Sequence, residues 1–544
     1  MQKHPTTINY AIIRKSQLMH VSVVVGQRPV LGSKVKEIVC HRNGHAYGEE
    51  EYLLRWATDG GTSGARDVPF SWHRLSELDT CLHHLQGYLE SLVASSRPRK
   101  KRKRAIDGGD HQARASPAER VRDDSSTSSS SRLNSPAISH ATLSTASTLT
   151  RDEPDAKVYN GVLTVENGFA VAVQSSSAPD HIDVRNVPTP AMMTAAKTAG
   201  TAAAAAKVRA EVMRRLDSLP GPKISLVNTI DDTSPPLGFE FIRQNILGEG
   251  VYAADPATRT GCTKCKAHMG QNMGCEYSKL CDCLEYAAVN DTERMLPEER
   301  DRWEAIKADG GLGDTAGLPK KFPYYSSGPR TSAERAGCLV PFYLDRRYPI
   351  YECNENCKCG PGCKTRVVQK GRQVRLEIFK TPNGRGWGLR CNSALRTGQF
   401  IDTYRGEIIT DDEATRREKG ARHGTKDSYL YSLDKFAEAE GIPPEELYVI
   451  DGEFKGGPTR FVNHSCEPNC RQYVVSYNRH DPKVYEIAFF AIRDIAPNEE
   501  LTFDYLDKDE AEEEEVDPEE RNEGGMKPVK CLCGARKCRK YLWL

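Results

Sequence analysis

Alternating apolar and polar positions divide the chain into two regions of regular secondary structure. Near the N-terminus, SKVKEIVCHR and EYLLRW alternate like short strands, and residues 76–93 have the 3.6-residue spacing of a helix. From residue 223 onward, short apolar runs separated by Gly, Asn and Pro predict a β-rich domain; they include LEIFKT, QFIDTY, YEIAFFAI and ELTFDY. The expected fold class is therefore mainly β, with a small α+β module over residues 30–93.

The stretch between these regions, 94–220, contains too little apolar surface to fold by itself. It opens with RPRKKRKR at 97–104 and continues into a Ser/Thr-rich run. We expect a disordered linker, in which the dense basic octamer serves as a nuclear import signal. An alanine-rich segment at 191–216 has high helix propensity, but Gly200 interrupts it, so it predicts only a marginal helix without a readable function.

Composition and charge exclude two classes of protein. The chain has 544 residues, of which 38% are hydrophobic, and 76 basic against 75 acidic side chains leave a net charge of +1. No run approaches the roughly 18 to 20 apolar residues of a membrane span, and the first residues lack the apolar stretch of a signal peptide. We therefore expect neither an integral membrane protein nor a secreted one.

The run DKDEAEEEEVDPEE is almost wholly acidic and predicts a disordered insert over 508–526.

Most of the 18 cysteines fall in tight clusters, which indicates metal ligands in a chain without a secretory signal. The first block contains nine of them: Cys262, Cys265, Cys275, Cys281, Cys283, Cys353, Cys357, Cys359 and Cys363. Three tetrahedral zinc ions need twelve bonds, which nine thiolates supply when three of them bridge two metals. The number of cysteines favours this zinc cluster over a disulfide-rich module. It also favours the cluster over a RING or PHD-like cross-brace, which usually includes a His ligand at a fixed spacing that His268 does not match.

A second cysteine group closes the chain in CLCGARKC, with Cys531, Cys533 and Cys538. Three thiolates leave a tetrahedral zinc one ligand short, so the fourth must come from elsewhere in the fold. Cys466 and Cys470 in NHSCEPNC are the candidates, and Cys466 is the preferred one. In that arrangement the metal pins the tail against this loop and assembles a pocket, whereas the alternative is a free tail with a weak site.

Three further motifs are GRGWG at 384–388, RFVNHSCEPNC at 460–470 and ELTFDY at 500–505. Together they resemble the SET-domain protein lysine methyltransferases, specifically the branch that acts on the ninth residue of histone H3. The resemblance implies a pre-SET region over 221–372, a SET catalytic domain over 373–507 and a post-SET tail over 527–544. The sequence departs from the family's pattern in the first cysteine pair, which is spaced CTKC and not C-x-C. This spacing affects which sulfur atoms bridge two zinc ions.

The resemblance implies a histone-lysine N-methyltransferase that uses S-adenosylmethionine, acts on the H3 tail in nucleosomes and contains zinc. It further implies di- or trimethylation in the nucleus, on chromatin, with a role in heterochromatin formation and gene silencing. The competing class is a catalytically inactive SET-fold scaffold that binds chromatin. That class is disfavoured because the site residues are in place. A zinc-dependent ubiquitin ligase is disfavoured because the spacing of these cysteines does not match the metal-ligand spacing of such enzymes.

The resemblance also assigns roles to single residues. The cofactor-binding positions are Arg385, Gly386, Trp387, Tyr429, Arg460, Asn463 and His464. Tyr404 and Tyr505 line the methyl-transfer channel, and Phe503 stands where a Phe leaves room for more methyl groups than a Tyr does. A lysine amine has a reference pKa of about 10.4, so a narrow aromatic channel must disfavour the ammonium and orient the neutral amine. We expect Tyr505 to be the main orienting group and water to be the final proton acceptor.

The N-terminal module resembles a chromodomain in VKEIVCHR, EYLLRW, FSW and the helix that follows. That fold binds methyl-lysine peptides in an aromatic cage through cation–π attraction. Trp56 matches one wall of the cage, whereas Ser33 stands where another aromatic is expected and ATDGG follows the tryptophan. Tyr47, Tyr52 and Phe70 are candidates for the missing walls or, equally, core residues, so methyl-lysine binding stays open.

Overall fold

The computed structural model describes residues 9–14, 17–22, 30–43, 50–57, 70–96, 163–166, 169–172, 188, 190–267, 275, 289–310, 314–326, 333–420, 429–506 and 529–543. The chain forms two compact units, residues 1–200 and 201–544, which are described separately. The basic octamer, the Ser/Thr-rich run and the acidic run lie outside the described residues. Among the helices of the described part, none is long and apolar enough to cross a membrane.

The first unit contains the strands and the helix that the alternation at 33–92 predicts. Its elements in chain order are β1 (Asn9–Arg14), β2 (Gln17–Ser22), β3 (Val35–Asn43), β4 (Glu50–Trp56), β5 (Phe70–Arg74), α1 (Leu82–Ser96), β6 (Leu163–Glu166), β7 (Phe169–Ala172) and α2 (Pro190–Thr198). Strands β3, β4 and β5 form an antiparallel sheet in this order, and β1–β2 and β6–β7 form separate antiparallel pairs. Leu54, Leu78 and Leu85 are fully buried in the core of this module.

Helix α2 lies inside the range that the sequence assigns to the disordered linker, and it packs within the first unit. Met192 and Ala196 form a buried cluster with Cys40 of β3 and Leu53 of β4. The structure thus forms a helix in the segment for which the sequence predicts only a marginal one. A short alanine-rich segment becomes stable when tertiary packing covers one of its faces.

The second unit is strand-rich, which confirms the fold class expected from the sequence. Its elements are α3 (Ala202–Asp217), β8 (Ser225–Val227), β9 (Glu240–Phe241), β10 (Ile246–Leu247), α4 (Pro297–Ala308), α5 (Pro341–Arg346), β11 (Ile350–Tyr351), β12 (Leu376–Lys380), β13 (Trp387–Cys391), β14 (Phe400–Tyr404), β15 (Glu407–Thr410), α6 (Asp411–Gly420), β16 (Leu430–Ser432), α7 (Ala437–Glu440), β17 (Tyr448–Asp451), β18 (Lys455–Gly456), β19 (Asn463–His464), β20 (Cys470–Ser476), β21 (Glu486–Ala491), β22 (Thr502–Phe503), β23 (Val529–Lys530) and β24 (Tyr541–Trp543). Helix α3 again lies inside the predicted linker, and Gly200 separates it from α2, so the alanine-rich segment forms two helices and not one marginal helix.

Small sheets of two to four strands build this unit. The larger ones have the strand orders β10-β15-β17-β16, β11-β20-β21-β14 and β13-β12-β8. Side chains alternate between the two faces of a strand, so Ala488 and Phe490 of β21 enter the apolar core, where Tyr343 of α5 also lies. Phe489, between them, faces the opposite side, where the candidate site lies.

One segment, 224–247, adds a strand to three different sheets. Its strands β8, β9 and β10 pair in parallel with β12, β18 and β15 respectively. Parallel neighbours are distant in sequence because they require a long crossover connection. This segment therefore belongs to the framework of the second unit and does more than connect α3 to the cysteine block.

Candidate functional site

Four aromatic rings form a continuous row at the face of β21 that carries Phe489. The ring centroids are 6.5 Å apart for Tyr404 and Phe489, 4.9 Å for Phe489 and Phe503, and 4.8 Å for Phe503 and Tyr505. The structure thus brings the three predicted channel residues together. Phe489 is missed by sequence reasoning, because within YEIAFFAI it has the pattern of an ordinary core strand.

Both channel tyrosines donate their hydroxyl groups to backbone carbonyls. The Tyr404 hydroxyl donates to the carbonyl of Tyr429 at 2.7 Å, and the Tyr505 hydroxyl donates to that of Val462 at 2.9 Å. Burial raises the pKa of Tyr404 well above its ordinary value, so this residue is a neutral hydroxyl. A Cβ atom at Gly452 would lie 2.5 Å from the Tyr404 hydroxyl, so only glycine leaves room for it.

The predicted cofactor residues Asn463 and His464 lie on β19, beside β22. The two strands are parallel, with Asn463 opposite Thr502 and His464 opposite Phe503. This pairing joins two motifs that are about 40 residues apart in the sequence, and parallel strands need a long connection of this kind. The cofactor residues and the channel residues are consequently parts of one local structure.

Glu500 connects Asn463 to the glycine-rich turn at 384–388. The Asn463 side-chain amide donates to Glu500 Oε1 at 2.8 Å and to the Trp387 carbonyl at 3.1 Å. Arg385 forms an ion pair with the other oxygen of the same carboxylate. Sequence reasoning missed Glu500, although its position at the start of ELTFDY was available as a signal.

The glycine-rich turn has a backbone that other residues do not readily adopt. Gly384 and Gly386 have φ angles of +84° and +79°, in the left-handed region that favours glycine. No described residue comes within 4 Å of a Cβ atom built at either position, so the backbone is open to a ligand there. This cradle fits the close approach that the sequence predicts for S-adenosylmethionine.

Arg460 contacts two aromatic rings. Its guanidinium carbon is 4.3 Å from the centroid of Tyr429 and 4.7 Å from that of Phe239, and its Nε donates to the Glu453 carbonyl at 3.2 Å. Cation–π contacts of this kind stabilise one side-chain position. The structure therefore brings together Arg460 and Tyr429, two of the predicted cofactor-binding residues, and adds Phe239, which sequence reasoning did not identify.

His464 connects the channel to the cysteines of the tail. Burial lowers the pKa of its imidazole to about 4, so the ring is neutral. The backbone N–H of Tyr505 donates to Nδ1 at 3.2 Å, which leaves the proton on Nε2, 3.3 Å from Cys466 Sγ. The neutral ring therefore accepts a hydrogen bond from the backbone of Tyr505 in the ELTFDY motif. It donates another to Cys466, a predicted metal ligand.

Four cysteines gather at the tail: Cys466, Cys531, Cys533 and Cys538, whose sulfur atoms all lie within 4.8 Å of one another. Cys466 and Cys531 are 4.0 Å apart, close to the roughly 3.8 Å edge of a tetrahedron with zinc–sulfur bonds of about 2.3 Å. This donor set fits zinc. Cys470, the other candidate, is buried apart from the group with its sulfur 3.2 Å from Asn469 Oδ1.

Polar contacts hold the tail against the loop that contains Cys466. Arg539 donates from its guanidinium to Asp504 at 2.5 Å and from its backbone N–H to Cys466 Sγ at 3.4 Å. The backbone N–H of Arg536 donates to Glu467 at 2.8 Å. The tail thus contacts both the residue after Phe503 and the residues after His464.

Seven cysteines of the first block form a single buried cluster: Cys262, Cys265, Cys275, Cys353, Cys357, Cys359 and Cys363. The sulfur of Cys353 is 3.5 Å from that of Cys275 and 3.9 Å from that of Cys363, again the spacing of ligands around one zinc ion. The Thr365 hydroxyl donates to Cys353 at 2.9 Å. Two further cysteines of the block, Cys281 and Cys283, and also His268 lie outside the described residues.

In the first unit, Trp56 is the remaining candidate wall of an aromatic cage. Its ring lies edge-on to His73 at 5.8 Å. Tyr52 is fully buried and donates its hydroxyl to Glu50 at 2.6 Å, so it is a core residue and not a cage wall. Tyr47 and the side chain of Phe70 lie outside the described residues.

Comparison with protein families finds two adjacent matches in the second unit. A pre-SET motif model matches residues 217–366, and a SET domain model matches residues 386–506. The first match covers the described cysteines of the buried cluster. The second contains the aromatic row, the β19–β22 pair and the turn at 386–388.

Two curated relatives match more than half of the chain. An H3 lysine-9 specific histone-lysine N-methyltransferase of Fusarium mangiferae is 39% identical, over 59% of this chain and 88% of the relative. The H3 lysine-9 specific enzyme dim-5 of Neurospora crassa is 38% identical over the same two shares. The solved structure of the Neurospora SET domain protein DIM-5 is 35% identical, covers 53% of this chain and 97% of that one, and has a TM-score of 0.41. On the sequence matches, the chain belongs to the SET-domain histone-lysine N-methyltransferases that carry a pre-SET motif.

Proposed function

We propose that this protein transfers methyl groups from S-adenosylmethionine to lysine 9 of histone H3, and that it acts in heterochromatin formation and gene silencing. The relatives of similar sequence are named for specificity towards this residue. The observation that carries the proposal is the aromatic row from Tyr404 to Tyr505, which lies beside the Asn463–His464 strand. A narrow apolar channel next to a cofactor site is what lysine methylation requires.

We infer the roles of the site residues from this arrangement. When bound, S-adenosylmethionine supplies a sulfonium methyl group as the electrophile. The backbone of Gly386 and Trp387, the side chains of Arg385, Arg460 and Tyr429, and the Asn463–His464 strand form its binding site. The Glu500 carboxylate keeps Asn463 and the turn in register, because both donate to it.

The aromatic channel prepares the attacking amine of the substrate. Entry along the aromatic row removes water from the lysine ammonium, which lowers its pKa and favours loss of a proton to water at the channel mouth. Tyr505 and Tyr404 would then orient the nitrogen lone pair towards the methyl group that bound S-adenosylmethionine would supply. The two hydroxyls donate to the carbonyls of Val462 and Tyr429, so their oxygen lone pairs can accept from the amine N–H, and water is the final proton acceptor.

Phe503 sets the product in this proposal. A tyrosine hydroxyl at this position would bind the amine or hold a water molecule where a further methyl group must enter. Phe503 packs between Phe489 and Tyr505, so the channel is apolar there. We expect di- and trimethylated product from the unmodified protein, and mass spectrometry that shows strictly monomethylated product would contradict this role.

We assign four zinc ions to the protein, three in the pre-SET block and one in the tail. The mutual distances of Cys275, Cys353, Cys359 and Cys363 support the first group, and the four tail cysteines support the second. The nine-cysteine count requires Cys281 and Cys283 to complete the trinuclear cluster. Metal analysis of the purified protein by inductively coupled plasma mass spectrometry tests the total.

The remaining assignments concern location and recruitment. The basic run at 97–104 supports nuclear import, and the H3 substrate supports a chromatin location, with the nucleosome as the physiological substrate. Trp56, which is paired edge-on with His73, supports at most a partial methyl-lysine cage in the N-terminal module. Titration of residues 1–200 with methylated and unmethylated H3 peptides tests peptide binding by this module.

The experiment that tests the function measures methyl transfer from S-adenosylmethionine to an H3 tail peptide by the full chain, with mass spectrometry as the readout. A second peptide, in which arginine replaces lysine 9, is the matched substrate control. Tyr505→Phe removes a single hydroxyl, and we expect it to lower kcat by about 100- to 1,000-fold, the order of effect that follows loss of one positioned hydrogen-bonding group in an active site.

Methylation of the first peptide alone, lost with Tyr505→Phe, supports the proposal. Equal methylation of both peptides would show that the protein methylates a lysine of the H3 tail other than lysine 9. A folded wild-type protein that binds S-adenosylmethionine but methylates neither peptide would favour the inactive scaffold.

A further inference from the structure

The alanine-rich helix α3 contacts the segment that runs past the cofactor site. Its buried face consists of Ala204, Ala205, Val208, Val212 and Leu216. Arg215, at its C-terminal end, donates from Nη1 to the carbonyls of Leu237 and Phe239 at 2.5 Å and 3.4 Å. Glu211, one turn earlier, accepts from Nε of the same side chain at 2.8 Å. Hydrogen bonds from Nε and from Nη1 therefore fix the guanidinium, which in turn holds the backbone on either side of Gly238.

The Phe239 side chain continues this contact into the site. It is 3% exposed, and its ring centroid lies 4.7 Å from the Arg460 guanidinium, which Tyr429 also contacts. Phe461 packs against the same ring at 6.0 Å. A Cβ atom at Gly456 would come within 3.1 Å of the ring, so a glycine there leaves the space that Phe239 occupies.

Backbone pairing holds Phe239 at this place. The N–H of Glu240 donates to the Phe454 carbonyl at 2.7 Å, and the N–H of Ile242 donates to that of Gly456 at 2.9 Å. These bonds join β9 to β18, immediately before the loop that contains Arg460. A change in the backbone at 237–239 is consequently transmitted to the position of one predicted cofactor-binding side chain.

We propose that Arg215 and Phe239 are positioning residues for the S-adenosylmethionine site, and that α3 is part of the catalytic unit for this reason. Arg215 holds the 237–239 backbone, and Phe239 contacts the Arg460 guanidinium together with Tyr429. This inference rests on the proposed function, since it assigns Arg460 and Tyr429 to the cofactor. It also gives a function to an alanine-rich segment that the sequence alone leaves without one.

The test compares Arg215→Ala with Arg214→Ala in the full chain. Arg214 is the matched control because it also pairs with Glu211, but its side chain is 71% exposed, against 27% for Arg215. We expect Arg215→Ala to raise the KM and Kd for S-adenosylmethionine by about three- to thirtyfold, the range that one cation–π contact is worth. The kcat and the KM for the H3 peptide should stay within about twofold, because the channel itself is unchanged.

A second pair of variants keeps the inference testable if Arg215→Ala does not fold. Phe239→Leu removes the buried ring that contacts Arg460, and Phe342→Leu removes a partly buried ring that lies 5.2 Å from the Lys321 ammonium and packs against the apolar core. Both variants lose an aromatic ring that packs in or against the core, so both should lower thermal stability. Only Phe239→Leu should weaken binding of S-adenosylmethionine, measured by titration calorimetry.

The outcomes separate this inference from the proposed function. If Arg215→Ala and Phe239→Leu bind the cofactor like their controls, α3 only packs against the unit and the inference is wrong. If the wild-type protein binds S-adenosylmethionine without methylating any H3 peptide, the proposed function fails, while the binding comparison still decides the role of Arg215. Weakened binding in both variants, with kcat retained, supports the inference.

Discussion

The two cysteine groups of the catalytic unit have similar chemistry but different surroundings. The described cysteines of the pre-SET block are all buried, and they pack among themselves with Phe322 as an apolar neighbour. In the tail group, Cys466, Cys533 and Cys538 are half-exposed, and Cys466 receives a hydrogen bond from His464 of the candidate site. The first group therefore acts as a core, whereas the second joins the tail to residues of the candidate site.

The difference shows how one type of ligand set serves two purposes. A buried thiolate cluster replaces the apolar core that a loop-rich region lacks, because metal binding free energy is also folding free energy. A half-exposed site made from distant segments contributes less to folding but determines whether a pocket is complete. Disruption of the two groups should consequently separate loss of fold from loss of activity.

The largest effect is expected from Cys353→Ser. The Cys353 sulfur lies among those of Cys275 and Cys363, and Thr365 donates to it. Loss of this ligand should lower the free energy of unfolding by at least about 4 kcal/mol, the range of effects that follows loss of a metal site. Urea unfolding monitored by circular dichroism, together with zinc content, measures it.

The matched control for this variant is Cys391→Ser, a buried cysteine of β13 outside both groups. The new serine hydroxyl would lie near that of Ser393, and the substitution should lower the free energy of unfolding by about 1 kcal/mol. Equal destabilisation by the two substitutions would show that the pre-SET cysteines are ordinary core residues.

Cys466→Ser should reduce activity far more than stability. Removing this ligand leaves the tail group with three thiolates and deprives His464 of its partner, so kcat/KM should fall by at least about a hundredfold. The unfolding transition should remain cooperative. Cys470→Ser, four residues along and outside the group, is the control, and it should retain most of the activity. A reversed result would make Cys470 the fourth ligand.

Limited chelation should distinguish the groups in the unmodified protein. The half-exposed tail site is accessible to a chelator, whereas the pre-SET cluster is buried and releases metal only when the region opens. Activity should therefore be lost together with about one zinc ion per chain, before the circular dichroism signal changes. Simultaneous loss of activity, all zinc and structure would contradict the division of roles.

The smallest effect is expected from deletion of residues 509–524, in the acidic run that connects the SET motifs to the tail cysteines. A solvated charge run interacts weakly at physiological salt, so the KM for the H3 peptide should change by less than about twofold. Steady-state kinetics at low and physiological salt measure it. A larger change that vanishes at high salt would show that the run attracts or competes with the basic histone tail.

Several features were predictable from the sequence because they depend on local chemistry. The strand-rich class follows from short apolar runs with turn residues between them, and the two zinc groups follow from cysteine spacing. The predicted channel and cofactor residues at 385–387, 404, 429, 460–464 and 503–505 meet in one region of the structure. Phe489 and Gly452 were not predicted, because a ring in a core strand and a glycine after a strand have no distinctive pattern. Glu500 was not predicted although it begins the ELTFDY motif, because its partners Arg385 and Asn463 are distant in the sequence.

The linker and the alanine-rich segment show where local reasoning ends. Their composition predicts disorder and a marginal helix, yet α2 packs in the first unit and α3 reaches Phe239 through Arg215. A helix of low intrinsic stability forms when packing covers its apolar face, and that packing depends on residues far away in the chain.

The sequence by itself determined the family and the type of chemistry, and it placed the candidate metal ligands in two groups, because glycines, thiolates and aromatic side chains occur at characteristic spacings. Only the tertiary structure decided that Cys466, and not Cys470, joins the tail cysteines, because Cys466 lies before β20 near the tail whereas Cys470 begins that strand and is buried apart from them. It also decided which ring continues the channel and which helix supports Arg460. Such contacts join positions with long stretches of chain between them, and their distances follow from the packing of the sheets and not from any local pattern.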